Sequence, residues 1–249
     1  MDSIALENYN NWLNEPYFDE ATKQELWEIK DNKKEIEDRF YKELEFGTAG
    51  LRGIIGAGTN RINKYMVRKT AQGLASYIKT KGEEAKKRGV VIAYDCRRMS
   101  REFAEESARV FAGNGIKAYL FKDLRSTPEL SFAIRYLNCI SGVVVTASHN
   151  PPEYNGYKVY WEDGAQIATD KAKAITNSIA SIDDFENVKI LDKEEAKDKG
   201  LLTYLGEQVD DAYIKEVKKQ SLRGETIKEV TDDFRVVLTP LHGTGRVPV

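Results

Sequence analysis

One serine, Ser148, stands in the run Thr146-Ala147-Ser148-His149-Asn150-Pro151, directly after the apolar stretch Gly142-Val143-Val144-Val145. A strand end followed by small and polar residues holds a hydroxyl out of the core. Asn150, placed before a proline, is steered away from the right-handed helical region. The run therefore predicts a tight loop that presents Ser148 at its edge. Thr146, Ser148, His149 and Asn150 gather several donors and acceptors, a density that suits a phosphorylated or phosphate-binding serine. As a bare pattern the hexapeptide also fits a polar turn.

Two other segments carry complementary chemistry. Glu45-Phe46-Gly47-Thr48-Ala49-Gly50-Leu51-Arg52-Gly53 sets glycines around one arginine, so backbone amides can approach an anion while Arg52 offers a bidentate fork. Gly47, Thr48, Ala49, Gly50 and Arg52 are the candidate phosphate contacts here. No Gly-Lys-Ser/Thr ending follows, so nucleotide binding is not implied. In Tyr154-Asn155-Gly156-Tyr157-Lys158-Val159-Tyr160-Trp161, Asn-Gly predicts a hairpin turn followed by an aromatic strand. Lys158 beside the serine loop could serve as general acid/base or charge stabiliser. Asp95-Cys96-Arg97-Arg98-Met99-Ser100 follows an apolar strand, where α/β folds place ligand sites. Arg97 or Arg98 could hydrogen-bond the serine loop; an ordinary strand-to-helix cap is the alternative. Ser126-Thr127-Pro128 reads as a helix start.

The elements that must position these residues alternate. Helical spacing predicts a charged amphipathic arm from Asp19 to about Tyr41, broken near Asp31-Asn32, and a helix over 63–80 closed by Gly82. Strands are expected at 90–94, 117–121 and 141–145, with helices from Ser100 (as cap) to Gly113–Gly115 and over 128–137. Tyr157 to Trp161 is the expected antiparallel hairpin partner, with Tyr157, Tyr160 and Trp161 in packing roles. A helix capped by Thr169 follows, then a charged surface segment over 183–200. The fold class is thus α/β: a mixed, mostly parallel sheet with helices on both faces. A connector helix over 209–219 leads to a strand at 234–238 and a loop at 239–245, the opening of a second, similar domain. The organisation expected is a helical arm (1–42), one complete domain (43–205) and an incomplete continuation (206–249), which reads as a fragment.

Composition excludes some classes. Lys and Arg (38) nearly balance Asp and Glu (40), for a net charge of −2, so no basic field argues for nucleic acid. No apolar run approaches a membrane span, and the first residues lack the pattern of a signal peptide. Cys96 and Cys139 form no Cys-x-x-Cys pair, which points to a reduced, cytoplasmic setting without disulfide or structural zinc.

The loop Phe46 to Gly53, the serine loop, Asn155-Gly156-Tyr157-Lys158 and Thr239-Pro240-Leu241-His242-Gly243-Thr244-Gly245 occur in this order in α-D-phosphohexomutases. The chain most resembles their phosphoglucomutase and phosphopentomutase branch. The resemblance implies four domains around a cleft, of which this sequence covers the first and the start of the second. It implies a phosphosugar mutase, an isomerase that moves a phosphoryl group between the 1- and 6-positions of a hexose. Glucose 1-phosphate and glucose 6-phosphate would interconvert through a phosphoserine at Ser148 and a bisphosphate intermediate.

Implied roles follow residue by residue. Ser148 is the carrier, Lys158 the proton-transfer group and Arg52 an electrostatic stabiliser, since arginine is a poor base. His149 and Asn150 orient the loop, and His242 lies in a motif that matches the family's second-domain loop; Asn150, Arg97 and His242 are further candidate substrate- or phosphate-binding residues. Mg2+ and glucose 1,6-bisphosphate are the implied cofactor and activator. The Asp-x-Asp-x-Asp-Arg run that supplies the family's metal carboxylates does not occur in this sequence. Ser148, through its phosphate, is then the metal contact available here. The implied partners are a phosphorylated sugar and the remaining domains of the same polypeptide, and the piece alone is expected to be inactive. Two other readings stand beside this one: a non-catalytic phosphate-binding or regulatory domain of the same fold, and a serine hydrolase. The hydrolase is disfavoured because adjacent side chains on an extended segment point apart.

Overall fold

A computed structural model describes residues 3–48, 50–230 and 234–249. Three helices form the N-terminal arm: α1 (Ser3–Asn14), α2 (Glu20–Glu28) and α3 (Lys33–Phe40). The break expected near Asp31-Asn32 is the start of α3, where the Asn32 side chain accepts from Glu35 N at 3.2 Å. Within the expected 1–42 arm helical spacing is readable only from Asp19, so α1 is an addition. Its buried Ala5, Tyr9 and Trp12 lie on one helical face. They join Phe18, Leu26, Ile36, Phe40 and Tyr65 in a separate aromatic-rich core, with Trp12 stacked on Phe18 at 4.3 Å.

The remaining elements alternate as β1 (Leu51–Ile54), α4 (Lys64–Lys79), α5 (Glu83–Arg88), β2 (Val90–Tyr94), α6 (Ser100–Gly113), β3 (Ala118–Phe121), α7 (Thr127–Tyr136), β4 (Ser141–Val145), β5 (Tyr154–Trp161), α8 (Thr169–Ala180), α9 (Lys193–Asp198) and β6 (Leu202–Leu205). The strands make one sheet in the order β1-β5-β4-β2-β3-β6. The pairs β2–β3, β2–β4 and β3–β6 are parallel, while β5 runs antiparallel to both β4 and β1.

Side-chain alternation splits the core across the sheet. Val90, Ile92, Val143 and Val145 pack with α4, α6 and α8 on one face. Val91, Ala93, Val144 and Phe121 pack with Leu130, Ala133 and Ile134 of α7 on the other. Both faces of the central strands are covered, which is why they are uniformly apolar. Among the described residues no helix is long and apolar enough to cross a membrane.

Several local expectations change. Gly82 does not close α4, whose C-cap is Thr80; Gly82 (φ +91°) is the left-handed residue that starts α5. Ser100 is inside α6 and the cap position is Met99 (φ +63°), because the Ser100 hydroxyl is bonded to Asp95 instead. Ala168, not Thr169, precedes α8, with no side-chain cap. The charged 183–200 segment contains α9, and Phe185 within it packs into the arm's aromatic core. Strand β6, four residues long, is not expected from the sequence because so short an edge strand has little periodicity to read. Beyond it run α10 (Glu207–Lys219) and α11 (Gly224–Val230). Residues 234–238 form no strand: Val237 is 98% exposed, since no described strand lies beside them.

Asn155-Gly156 is not a turn either. Both residues lie inside β5, between β1 and β4, and the β4–β5 connection is the serine loop itself. The buried Asn155 amide donates to Arg98 O and Ser100 Oγ, both at 2.9 Å. At Gly156 an added Cβ would sit 2.6 Å from Thr146 O and 2.8 Å from Leu51 O. Neither carbonyl can move without shifting a strand. Gly156→Ala is therefore expected to cost about 2–3 kcal/mol, in the range of overpacking penalties, measurable as a lower urea midpoint at unchanged slope.

Candidate active site

Thr146 leaves β4 with its N–H still bonded to Gly156 O at 3.0 Å, and the chain then turns. Ser148 adopts a left-handed conformation (φ +56°) and is exposed. Its N–H donates to Thr146 Oγ1 at 2.9 Å, and that hydroxyl donates to Asp95 Oδ2 at 2.5 Å. The other Asp95 oxygen accepts from Ser100 Oγ at 2.7 Å and Arg97 N at 3.0 Å. Thus the end of β2 and the start of α6 hold the first residues of the serine loop.

Arg97 holds the rest. Its guanidinium donates to the carbonyl oxygens of Ser148 (2.8 Å), Asn150 (2.6 Å), Pro151 (2.9 Å) and Tyr154 (3.0 Å). A planar fork with five donors suits such a cradle, and lysine's three do not. With its carbonyls turned onto Arg97, the loop keeps its shape and leaves the Ser148 side chain outward.

One cation touches the loop, and a second lies within electrostatic reach of the first. Arg52, exposed on β1, pairs in register with Gly156 and donates Nη1 to Asn150 Oδ1 at 2.8 Å. Lys158 lies on β5 opposite Val144. Burial lowers its pKa below the ordinary lysine value, and the nearby Arg52 charge lowers it further.

His149 and Ser148 are closer than an extended segment allows: Ser148 Oγ and His149 Nδ1 stand 3.3 Å apart because the backbone turns left-handed at Ser148. Among the described residues no carboxylate hydrogen-bonds His149, so the pair has no orienting third member. His242, with Gly243 and Thr244, lines a cavity of about 160 Å3 that also touches Ser148, Thr146 and Arg125.

The 46–50 turn is placed differently. Gly47 and Gly50 exchange backbone hydrogen bonds, Gly50 (φ +84°) lies tight against Tyr157 O, and Thr48 O accepts from Gln166. Gly47 and Thr48 line a shallow depression against α8 rather than the Ser148 cavity. Ala49 lies outside the described residues. Thr146 is one of the loop's expected polar groups, but its bridging role between Ser148 N and Asp95 comes from the structure. The contributions of Asn155 and Arg125 are not expected from the sequence; for Asn155 the only signal is position, three residues before Lys158. Among the described residues no three His, Cys, Asp or Glu side chains converge on a point where a metal could sit. The acidic pair Asp232-Asp233 lies outside the described residues.

Residues 43–186 match the family described as phosphoglucomutase/phosphomannomutase, alpha/beta/alpha domain I. The chain belongs to this family. It is 38% identical over 245 residues to a phosphoglucomutase of Staphylococcus saprophyticus, covering 98% of this chain and 41% of that protein. A Staphylococcus haemolyticus phosphoglucomutase is 41% identical over 213 residues, covering 86% and 37%. The chain thus spans about two fifths of the length of these relatives. The solved open form of a Paramecium phosphoglucomutase, pp63/parafusin, superposes with a TM-score of 0.63 at 22% identity, over 81% of this chain and 39% of that one. At that identity the likeness speaks for the fold alone, which is the mixed α/β fold of the phosphoglucomutase/phosphomannomutase family.

The lowered Lys158 pKa has a measurable sign. The folded protein holds fewer protons at this site than the unfolded chain just below the ordinary lysine pKa, so this group favours folding more as pH rises through that window. At mildly alkaline pH, Lys158 should be acetylated by acetic anhydride ahead of the exposed lysines, as read by peptide mapping. Arg52→Met removes one cause of the shift but leaves burial. Acetylation of Lys158 should then slow in part, and an unchanged rate would discount the Arg52 charge.

Proposed function

We propose that this chain carries the phosphoryl-accepting part of a phosphosugar mutase site, with Ser148 as carrier and a hexose phosphate as substrate. The observation that carries the reading is the outward Ser148 on a loop whose carbonyls are tethered by Arg97, beside the cations Arg52 and Lys158. The names of the staphylococcal relatives support glucose phosphates as substrates.

In the forward step the free hydroxyl of the hexose phosphate attacks the phosphorus on Ser148. Its O–P bond forms as the Ser148 Oγ–P bond breaks, and the hydroxyl proton passes to neutral Lys158. The lowered pKa of Lys158 makes its free-amine form more populated than that of an ordinary lysine, which favours the acceptor role. Arg52 holds the loop through Asn150 and offers positive charge to the equatorial phosphoryl oxygens, where such a transfer concentrates negative charge. The reverse step returns the other phosphoryl group of the bisphosphate to Ser148 and the proton to the product. The side chains described here do not form the oxygen cage that Mg2+ takes, so no step is drawn through it. Glucose 1,6-bisphosphate as phosphoryl donor, a cytoplasmic setting and the division near residues 42 and 205 belong to the same proposal.

Intact mass of the full-length product carrying this domain, before and after incubation with glucose 1,6-bisphosphate, tests it. One phosphoryl group mapped to Ser148 is expected. A folded protein that never carries phosphate on Ser148 would leave a phosphate-binding role instead. Labelling of Ser148 by a fluorophosphonate together with ester hydrolysis would support the serine hydrolase.

A further inference from the structure

Asp95 stands directly after β2, and its N–H still donates to Val145 O, the last carbonyl of β4, at 3.2 Å. Its side chain is 14% exposed. Three donors meet its two oxygens: Thr146 Oγ1 at 2.5 Å on Oδ2, and Ser100 Oγ at 2.7 Å and Arg97 N at 3.0 Å on Oδ1. Arg97 Nε lies 3.6 Å from Oδ2.

An ionised carboxylate only accepts, so Asp95 fixes the direction of the protons around it. Thr146 spends its one hydroxyl proton on Asp95, which leaves its oxygen as an acceptor, and Ser148 N–H donates to that oxygen at 2.9 Å. Ser100 is fixed in the same way: its hydroxyl accepts from the Asn155 amide at 2.9 Å and donates to Asp95. Ser100 and Asn155 are both fully buried, so this side of the network is closed to water.

The backbone at Ser148 is where this order matters. Its φ of +56° is a conformation that a residue other than glycine keeps only when its surroundings impose it. Two bonds grip the residue there: its carbonyl accepts from Arg97, and its N–H donates to Thr146 Oγ1. Asp95 aims the acceptor of the second. Asparagine at position 95 cannot reproduce the pattern. With its amide nitrogen towards Thr146 it donates where an acceptor is needed, and with that nitrogen towards Ser100 and Arg97 N it opposes two donors.

We propose that Asp95 is a positioning residue for Ser148: by taking the Thr146 hydroxyl proton it turns the Thr146 oxygen onto Ser148 N–H and so holds the left-handed turn that presents the Ser148 hydroxyl. Its effect on phosphoryl transfer rests on Ser148 being the carrier; its effect on the turn does not.

Two measurements on the full-length product carrying this domain test the proposal. One is deuterium exchange of the Ser148 amide, resolved by fragmentation mass spectrometry. The other is single-turnover phosphorylation of Ser148 by glucose 1,6-bisphosphate in the folded fraction. Thr146→Val, which keeps the shape without the hydroxyl, and Asp95→Asn should each speed exchange about tenfold and slow phosphorylation about tenfold, the scale of one lost hydrogen bond. Thr146→Ser should recover most of both. Asp95→Asn combined with Thr146→Val should be no slower than the slower single variant, because both act through one hydroxyl, whereas independent structural defects multiply. Wild-type exchange in Thr146→Val, faster exchange with undiminished phosphorylation, or multiplied effects in the double variant would overturn the proposal. A wild type that takes up no phosphoryl group would refute the mutase reading alone, and the exchange rates would then decide whether Asp95 and Thr146 hold the turn.

Discussion

Ser148→Ala takes up no covalent phosphoryl group from glucose 1,6-bisphosphate, and Ser148→Thr, which keeps the hydroxyl, is slower than wild type by about tenfold or more. The alanine result follows from chemistry: the carrier oxygen is gone. The threonine result follows from backbone geometry. Ser148 sits at φ +56°, where a β-branched residue is disfavoured by about 1–2 kcal/mol. The loop can relieve that strain only by releasing the bond from Ser148 N to Thr146 Oγ1 or the one from Arg97 to Ser148 O. Either change alters how the loop presents the hydroxyl. Single-turnover phosphorylation followed by intact mass reads both variants. A threonine variant phosphorylated at the wild-type rate would show that the left-handed conformation has no part in presenting the hydroxyl.

Arg97→Met loses about 3 kcal/mol of stability and about a hundredfold in the rate of Ser148 phosphorylation. One side chain serves four carbonyl oxygens that point inward to it, and methionine fills its volume without donating. The abandoned carbonyls must turn to water, which unwinds the loop, and Asp95 loses a cation 3.6 Å away. Arg97→Lys should recover only a small part of the rate, because an ammonium cannot reach four acceptors spread from Ser148 to Tyr154. Urea unfolding and single-turnover rates check the two numbers separately. A large loss of stability with a normal rate in the folded fraction would mean that Arg97 supports the sheet but not the loop.

These effects differ in how far they could be read from the chain alone. The serine loop was legible because its chemistry is local: a strand end, small residues and hydroxyls in consecutive positions. Arg97 was legible as a candidate from its place at a strand end, but its four acceptors lie 51 to 57 residues away. Asn155-Gly156 misled, because the same dipeptide suits a tight turn and a crowded strand. What excludes a side chain at Gly156 comes from Thr146, just past β4, and Leu51 in β1. The Arg125–Glu129–Asp210 cluster was not singled out at all. Arg125 and Glu129 are four apart and look like an ordinary helix-surface pair until α10 brings Asp210 across and buries all three.

By itself the sequence determined the alternation of strands and helices, the coverage of the sheet on both faces and the identity of the exposed serine. Each depends on hydrophobic periodicity and backbone preferences within a few neighbouring residues. Tertiary structure alone decided that Ser148 turns left-handed, that its loop hangs on Arg97, and that Arg52 reaches Asn150 98 residues away. The reason is physical: a hydrogen bond forms over about 3 Å and records nothing of sequence distance. The groups that hold the serine in place are therefore chosen by the sheet order β1-β5-β4-β2, which brings Arg52, Lys158, Ser148 and Arg97 to neighbouring strands and their ends.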